Sequence, residues 1–188
     1  MNAYQSLHIL GISGSLRKGS YNTALLRAAV ELMPPEMTLD QFDLAPLSMF
    51  NYDTEKPFPE AVEAFRTAIA NADALLIATP EYNSSVSGAL KNALDWASRS
   101  PKPPLNGKPV AIMGASTGNF GTVRSQQQLR QILTHLGALT LAKPEVLVAR
   151  AEQTFDAEGY LVDAAARGFL KDLLSALSAW IRRVSLKE

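Results

Sequence analysis

The chain has 188 residues, 47% of them apolar, which is enough for one well-cored domain expected to run over 1–188. Its formal net charge is zero, which argues against a nucleic-acid or anionic-membrane partner, since both need basic surface. It contains no cysteine, which excludes disulfides, thiolate metal sites and thiol nucleophiles together.

The apolar run Leu7 to Ile12 reads as a buried first strand. Gly11 to Thr23 then forms a turn rich in small residues, hydroxyls and two cations. It opens a helix that carries Leu25, Leu26, Ala29, Val30 and Met33 at helical spacing. Unpaired N–H groups and the helix dipole make such a helix start an anion site. Ser13, Ser15, Ser20, Asn22 and Thr23 add neutral donors, and Arg17 adds a planar fork suited to phosphate. The stretch is neither of the two familiar phosphate loops. Gly14 and Gly19 have P-loop spacing, but Ser20 stands where the lysine should be. A dinucleotide fingerprint needs a glycine where Ser13 stands.

Pro34-Pro35 ends the first helix, and Thr38 to Phe42 is a short second strand. The polar, proline-punctuated segment 43–57 is long for a compact domain, as functional or lid-like loops are. A helix follows from Glu60 to Asn71. The third strand, Ala74 to Ala78, is apolar at every position, as in a parallel sheet buried on both faces. A second polar loop, Thr79 to Gly88, leads into a helix over about Ser87 to Ser98, on which Lys91 and Asp95 are spaced to pair. The broad apolar surface of that helix, with Trp96 as an anchor, points to a homo-oligomer built through it. Pro109 to Met113 is a fourth strand, and Gly114 to Gly121 a third polar loop before another helix. Leu139 to Leu141 and Val146 to Val148, split by Pro144, make the fifth strand. Asp163 to Ser185 is an amphipathic final helix.

Strands alternating with helices imply an α/β fold with a doubly wound parallel sheet. Ligands in such sheets bind at the carboxyl ends of the strands, and all three polar loops fall there. No carboxylate–histidine cluster suggests a metal, no serine–histidine–acid triad is readable, and neither His8 nor His135 looks catalytic. The chain opens without a basic segment and apolar h-region, and no apolar run reaches membrane-spanning length. A soluble cytoplasmic protein is therefore expected.

Three motifs resemble one known family. They are Gly14-Ser15-Leu16-Arg17-Lys18-Gly19-Ser20-Tyr21-Asn22, then Pro80-Glu81-Tyr82-Asn83, then Ser87 to Trp96, with Ser116-Thr117-Gly118, Gly121 and Arg124 as a weaker fourth piece. Together they resemble the NAD(P)H-dependent FMN reductases of the flavodoxin-like fold, over roughly residues 7 to 150. The resemblance implies a five-stranded sheet of order 2-1-3-4-5 with helices on both faces. It implies FMN as cofactor, NADPH or NADH as reductant, and a homodimer or homotetramer. It puts the FMN phosphate on Ser15, Arg17, Ser20, Asn22 and Thr23. It puts the isoalloxazine ring beside Pro80, Glu81, Tyr82 and Asn83, with Ser116 and its neighbours closing the far side. Family members of this kind reduce quinones, azo dyes, chromate or free flavin. Flavin carries the hydride chemistry itself, so no catalytic side chain is assigned. Where the family often has paired glycines, Gly121 is followed here by Thr122, which bears on the loop near the ring. Two rival readings are a flavodoxin-type electron carrier without its own turnover and a nucleotide-binding regulatory protein.

Overall fold

A computed structural model describes residues 6–185; the first and last residues of the expected 1–188 domain lie outside them. Six parallel strands form one sheet: β1 (Leu7–Ser13), β2 (Met37–Phe42), β3 (Ala74–Ala78), β4 (Pro109–Ala115), β5 (Leu139–Thr140) and β6 (Val146–Val148). The order is β2-β1-β3-β4-β5, with β6 also paired to β4. The expected fifth strand is thus two short ones. β5 pairs with Pro109 and Val110, and β6 with Met113 to Ala115, at the other end of β4. Pro144 lies between them and has no N–H to offer the ladder.

The side-chain alternation of the strands divides the core into two layers. Ile9, Leu76, Ala111 and Met113 face one side, where they meet α1 (Tyr21–Leu32) and α6 (Ala164–Ser185). Leu10, Ile12, Leu75, Ile77 and Ile112 face the other, where they meet α2 (Glu60–Asn71), α3 (Gly88–Ala97) and α4 (Val123–His135). Each helix runs back from the carboxyl edge of the sheet, so the loops that start α1, α3 and α4 share that edge. A short helix, α5 (Ala151–Thr154), and a Phe155–Leu161 bridge form an excursion before α6 that periodicity did not indicate. No helix among the described residues is long and apolar enough to cross a membrane.

Two expectations change here. The 43–57 segment is held down by α3. Ser48 O accepts from Trp96 Nε1 (2.7 Å) and Asn92 Nδ2 (2.9 Å), and Asn92 Oδ1 accepts from Phe50 N (2.8 Å). Further along, Arg99 pairs with Glu55 at 3.1 Å. Trp96, expected as a subunit anchor, is completely buried inside the chain, edge-on to Phe50 and Phe58. The apolar breadth of α3 is consumed by the sheet on one side and by this segment on the other. Its outer face carries the Lys91–Asp95 pair at 2.7 Å.

Candidate active site

The first loop is set by its capping residue. Ser20 is the N-cap of α1, and its Oγ accepts from the N–H groups of Asn22 (3.2 Å) and Thr23 (3.3 Å). The N–H groups of Lys18, Gly19 and Tyr21 have no acceptor among the described residues. They stand at the positive end of α1, the arrangement that favours an anion. Arg17 joins them, its guanidinium carbon 5.4 Å from the centre of the Tyr21 ring. No carboxylate among the described residues pairs with Arg17 or Lys18.

Each pair of loops is then tied by one side chain. Ser87, the N-cap of α3, donates to Gly14 O at 2.5 Å and so joins the second loop to the first. Asn22 joins the first to the third: its Nδ2 donates to Ala115 O (3.0 Å) and its Oδ1 accepts from Ala115 N (2.9 Å). Glu81 joins the second to the third. Its Oε2 accepts from the N–H groups of Arg124 (2.9 Å) and Ser125 (3.1 Å), and its Oε1 accepts from Arg124 Nε (2.6 Å). The Glu81 side chain is only 4% exposed, so this carboxylate caps α4 and is turned away from solvent.

Between the loops lies a cleft of about 360 Å³, within the roughly 300–1,000 Å³ range of small-molecule sites. Of the residues expected from sequence, Ser15, Arg17, Ser20, Asn22, Pro80, Glu81, Tyr82 and Ser116 line it. Thr23 and Asn83 stand outside its wall. Thr23 Oγ1 donates to Ser13 Oγ at 2.9 Å, toward a separate cavity near the end of β2. Asn83 is exposed in the turn that closes between Tyr82 and Ser85. Three further lining residues, Tyr21, Ala115 and Thr117, were not named one by one from sequence. Ala115 and Thr117 are the neighbours of Ser116 expected to close the far side, and Tyr21 lies inside the first motif, so position was the signal for all three.

Thr122, the departure from the family pattern, is fully buried and lines no part of the cleft. Its Oγ1 accepts from Gln126 Nε2 at 3.0 Å. It packs over Gly114, where a Cβ would collide with Thr122 Oγ1 and Thr79 O. Gly121 makes this possible by taking φ +59°, a left-handed conformation that glycine tolerates without strain. Among the described residues no three His, Asp or Glu side chains are grouped to hold a metal.

Comparison with known proteins gives this geometry a family. Residues 7–153 match the model of the NADPH-dependent FMN reductases. The chain belongs to that family. It is 52% identical over 179 residues to an NAD(P)H-dependent FMN reductase of Pseudomonas aeruginosa, covering 95% of this chain and 97% of that one. It is 40% identical over 178 residues to a 2-hydroxy-1,4-benzoquinone reductase of a Burkholderia species, covering 94% and 97%. Among solved structures it is similar to the flavoenzyme NAD(P)H:acceptor oxidoreductase FerB of Paracoccus denitrificans. The TM-score there is 0.87 at 31% identity, with 94% of this chain and 98% of that chain covered. As a member of the FMN reductases the protein is a flavodoxin-like oxidoreductase that uses FMN and NAD(P)H. The cleft fits that cofactor on its own chemistry. Unpaired N–H groups and an unpaired guanidinium suit a phosphate, and a wall of Pro80, Tyr82 and Ala115 suits a flat ring.

Proposed function

We propose that this protein transfers two electrons, as hydride, from NADPH or NADH through FMN to a quinone, with azo dyes, chromate and free flavin as further acceptors. The observation that carries the reading is the two-ended cleft, with the anion-ready start of α1 at one end and the Pro80–Tyr82 and Ala115–Thr117 walls at the other. In this reading the FMN phosphate lies on Ser15, Arg17, Ser20 and the free N–H groups. Asn22 holds the third loop in place through Ala115, and the second N–H of its amide is left for the phosphate. Thr23 supports the first loop through Ser13. Pro80, Glu81 and Tyr82 meet the ring through backbone and the Tyr82 ring, with Ser116 opposite and Asn83 shaping the turn. When bound, FMN supplies the hydride chemistry, and the protein's part is to anchor, orient and expose it. The open side of the cleft would admit nicotinamide and acceptor in turn, so ping-pong kinetics are expected.

We also infer a cytoplasmic homodimer or homotetramer. Leu16, Tyr82 and Phe120 are 55%, 50% and 68% exposed, one on each of the three loops at this sheet edge, and are the apolar groups that a second copy would cover. The test is purification followed by assay. A yellow protein with the mass of two or four chains by light scattering, oxidising NAD(P)H when a quinone is added, is the expected result. A colourless chain that does not take up added FMN overturns the reading.

A further inference from the structure

The turn after Tyr82 is held in a shape that its own sequence does not favour. Tyr82 and Ser85 exchange two backbone hydrogen bonds, each of 3.0 Å, around a two-residue turn. Asn83 and Ser84 both take positive φ, 51° and 63°. Such a turn prefers asparagine followed by glycine. Asn83 suits the first place, but Ser84 carries a Cβ in the left-handed region, which glycine occupies without that penalty. Something outside the turn must therefore hold it.

That something is α4. Gln128 Nε2 donates to Ser84 O at 2.9 Å, and Gln128 Oε1 accepts from Ser85 Oγ at 2.6 Å. One amide thus grips both ends of the Ser84–Ser85 unit. One turn earlier on the same helix, the N–H groups of Arg124 and Ser125 hold the Glu81 carboxylate. The segment 81–85 is fastened to α4 at both ends, and its inner residues, Glu81 and Tyr82, are cleft wall. Without Gln128 the unfavoured turn can relax, and Tyr82 moves with it because its N–H and C=O are the turn's own hydrogen bonds.

We propose that Gln128 is a positioning residue for hydride transfer: it holds the Asn83–Ser84 turn against α4 and so fixes the Pro80–Tyr82 wall beside the reacting ring. The inference rests on the cleft being the flavin site. It assigns Gln128 to orientation and leaves the phosphate anchor, on the far side of the cleft, untouched. A shift of about an ångström at a reacting centre costs up to about a hundredfold in rate.

The test compares wild type, Gln128→Ala and the double variant Gln128→Ala with Ser84→Gly, which gives the turn its preferred sequence. Two quantities are read: FMN affinity by fluorescence titration, and the rate at which NADPH bleaches the bound flavin. Gln128 is exposed, so its removal leaves the core intact. The expected result is a bleaching rate about tenfold lower in Gln128→Ala, FMN affinity within about twofold of wild type, and most of the rate recovered in the double variant. A bleaching rate per bound flavin equal to wild type overturns the proposal, as does a loss that Ser84→Gly fails to recover. If the wild-type chain itself takes up no FMN, it is the reading of the cleft that fails, and the titration shows this separately.

Discussion

Arg17 is the one side chain in the cleft that offers a phosphate a full charge without competition. Its guanidinium has no carboxylate partner among the described residues, and it stands beside the unpaired start of α1. A hydrogen bond to a charged group is worth about 1.5–3 kcal/mol. Arg17→Ala is therefore expected to weaken FMN binding by roughly that amount, about 10- to 150-fold. Fluorescence titration checks it, and unchanged affinity would remove Arg17 from the site. Asn22 shows where residue-level reading stops. Its place in the Ser20–Asn22 motif suggests a phosphate donor. One amide N–H and the amide oxygen are taken by Ala115, 93 positions away. Nothing local in sequence records which distant backbone group an amide will meet. Glu81 is similar: its motif marks it for the ring, but its carboxylate serves the N–H groups of α4, 43 and 44 positions on.

At the scale of elements, strands and helices were legible because their periods are local properties. β3 is apolar at all five positions and every one is buried. The three loops were legible as a site because α/β topology alone sends them to one edge. The ties between elements were not legible, because each is a long-range hydrogen bond. Arg66, in the middle of α2, is an example. It is 7% exposed, and it donates to Trp96 O (3.2 Å), Arg99 O (2.7 Å) and Pro101 O (2.8 Å), at and beyond the end of α3. Burial pulls its guanidinium below the ordinary arginine range, against the opposing pull of Glu63 and Glu55. The cation stays buried because it satisfies the carbonyl groups and negative dipole end of α3. Arg66→Met keeps much of the volume and strands those acceptors, and a buried polar group left unsatisfied costs about 1–3 kcal/mol. We expect the midpoint of urea unfolding to fall with the slope unchanged, and FMN affinity to hold because Arg66 lines no part of the cleft. An unaltered midpoint would show that water replaces the guanidinium at no cost.

For the whole molecule the decisive property is where charge is missing. The chain has zero formal net charge, and the charged groups nearest the cleft carry the most weight in how reduction proceeds. Among the described residues Glu81 is the only one with a carboxylate in the cleft wall, and its side chain is 4% exposed and paired with Arg124. The Glu81–Arg124 pair cancels itself, which leaves Arg17, at the phosphate end, as the charged wall residue without a carboxylate partner among the described residues; Lys18 lines a neighbouring cavity that it shares with Glu152, Asp156 and Glu158. A free carboxylate about 4 Å from an anionic reduced ring would repel it by about 4 kcal/mol at an effective dielectric of 20. Electron carriers of the flavodoxin type use such acidic surroundings to resist full reduction. Here that barrier is absent, so the second electron should enter nearly as easily as the first. In an anaerobic reductive titration the absorbance is expected to pass from oxidised to fully reduced flavin without a third species, and NAD(P)H is expected to drive it to completion. Were a third species to dominate at one electron per flavin while NAD(P)H left the protein oxidised, the carrier reading would replace the enzyme reading of this cleft. Adding a carboxylate offers the converse check. Ser116→Asp places a negative charge in the wall opposite Pro80 and Tyr82, in a residue that lines the cleft, and should make full reduction harder. The apparent reduction potential of the bound flavin is then expected to fall relative to wild type, and an unchanged potential would place the ring away from Ser116.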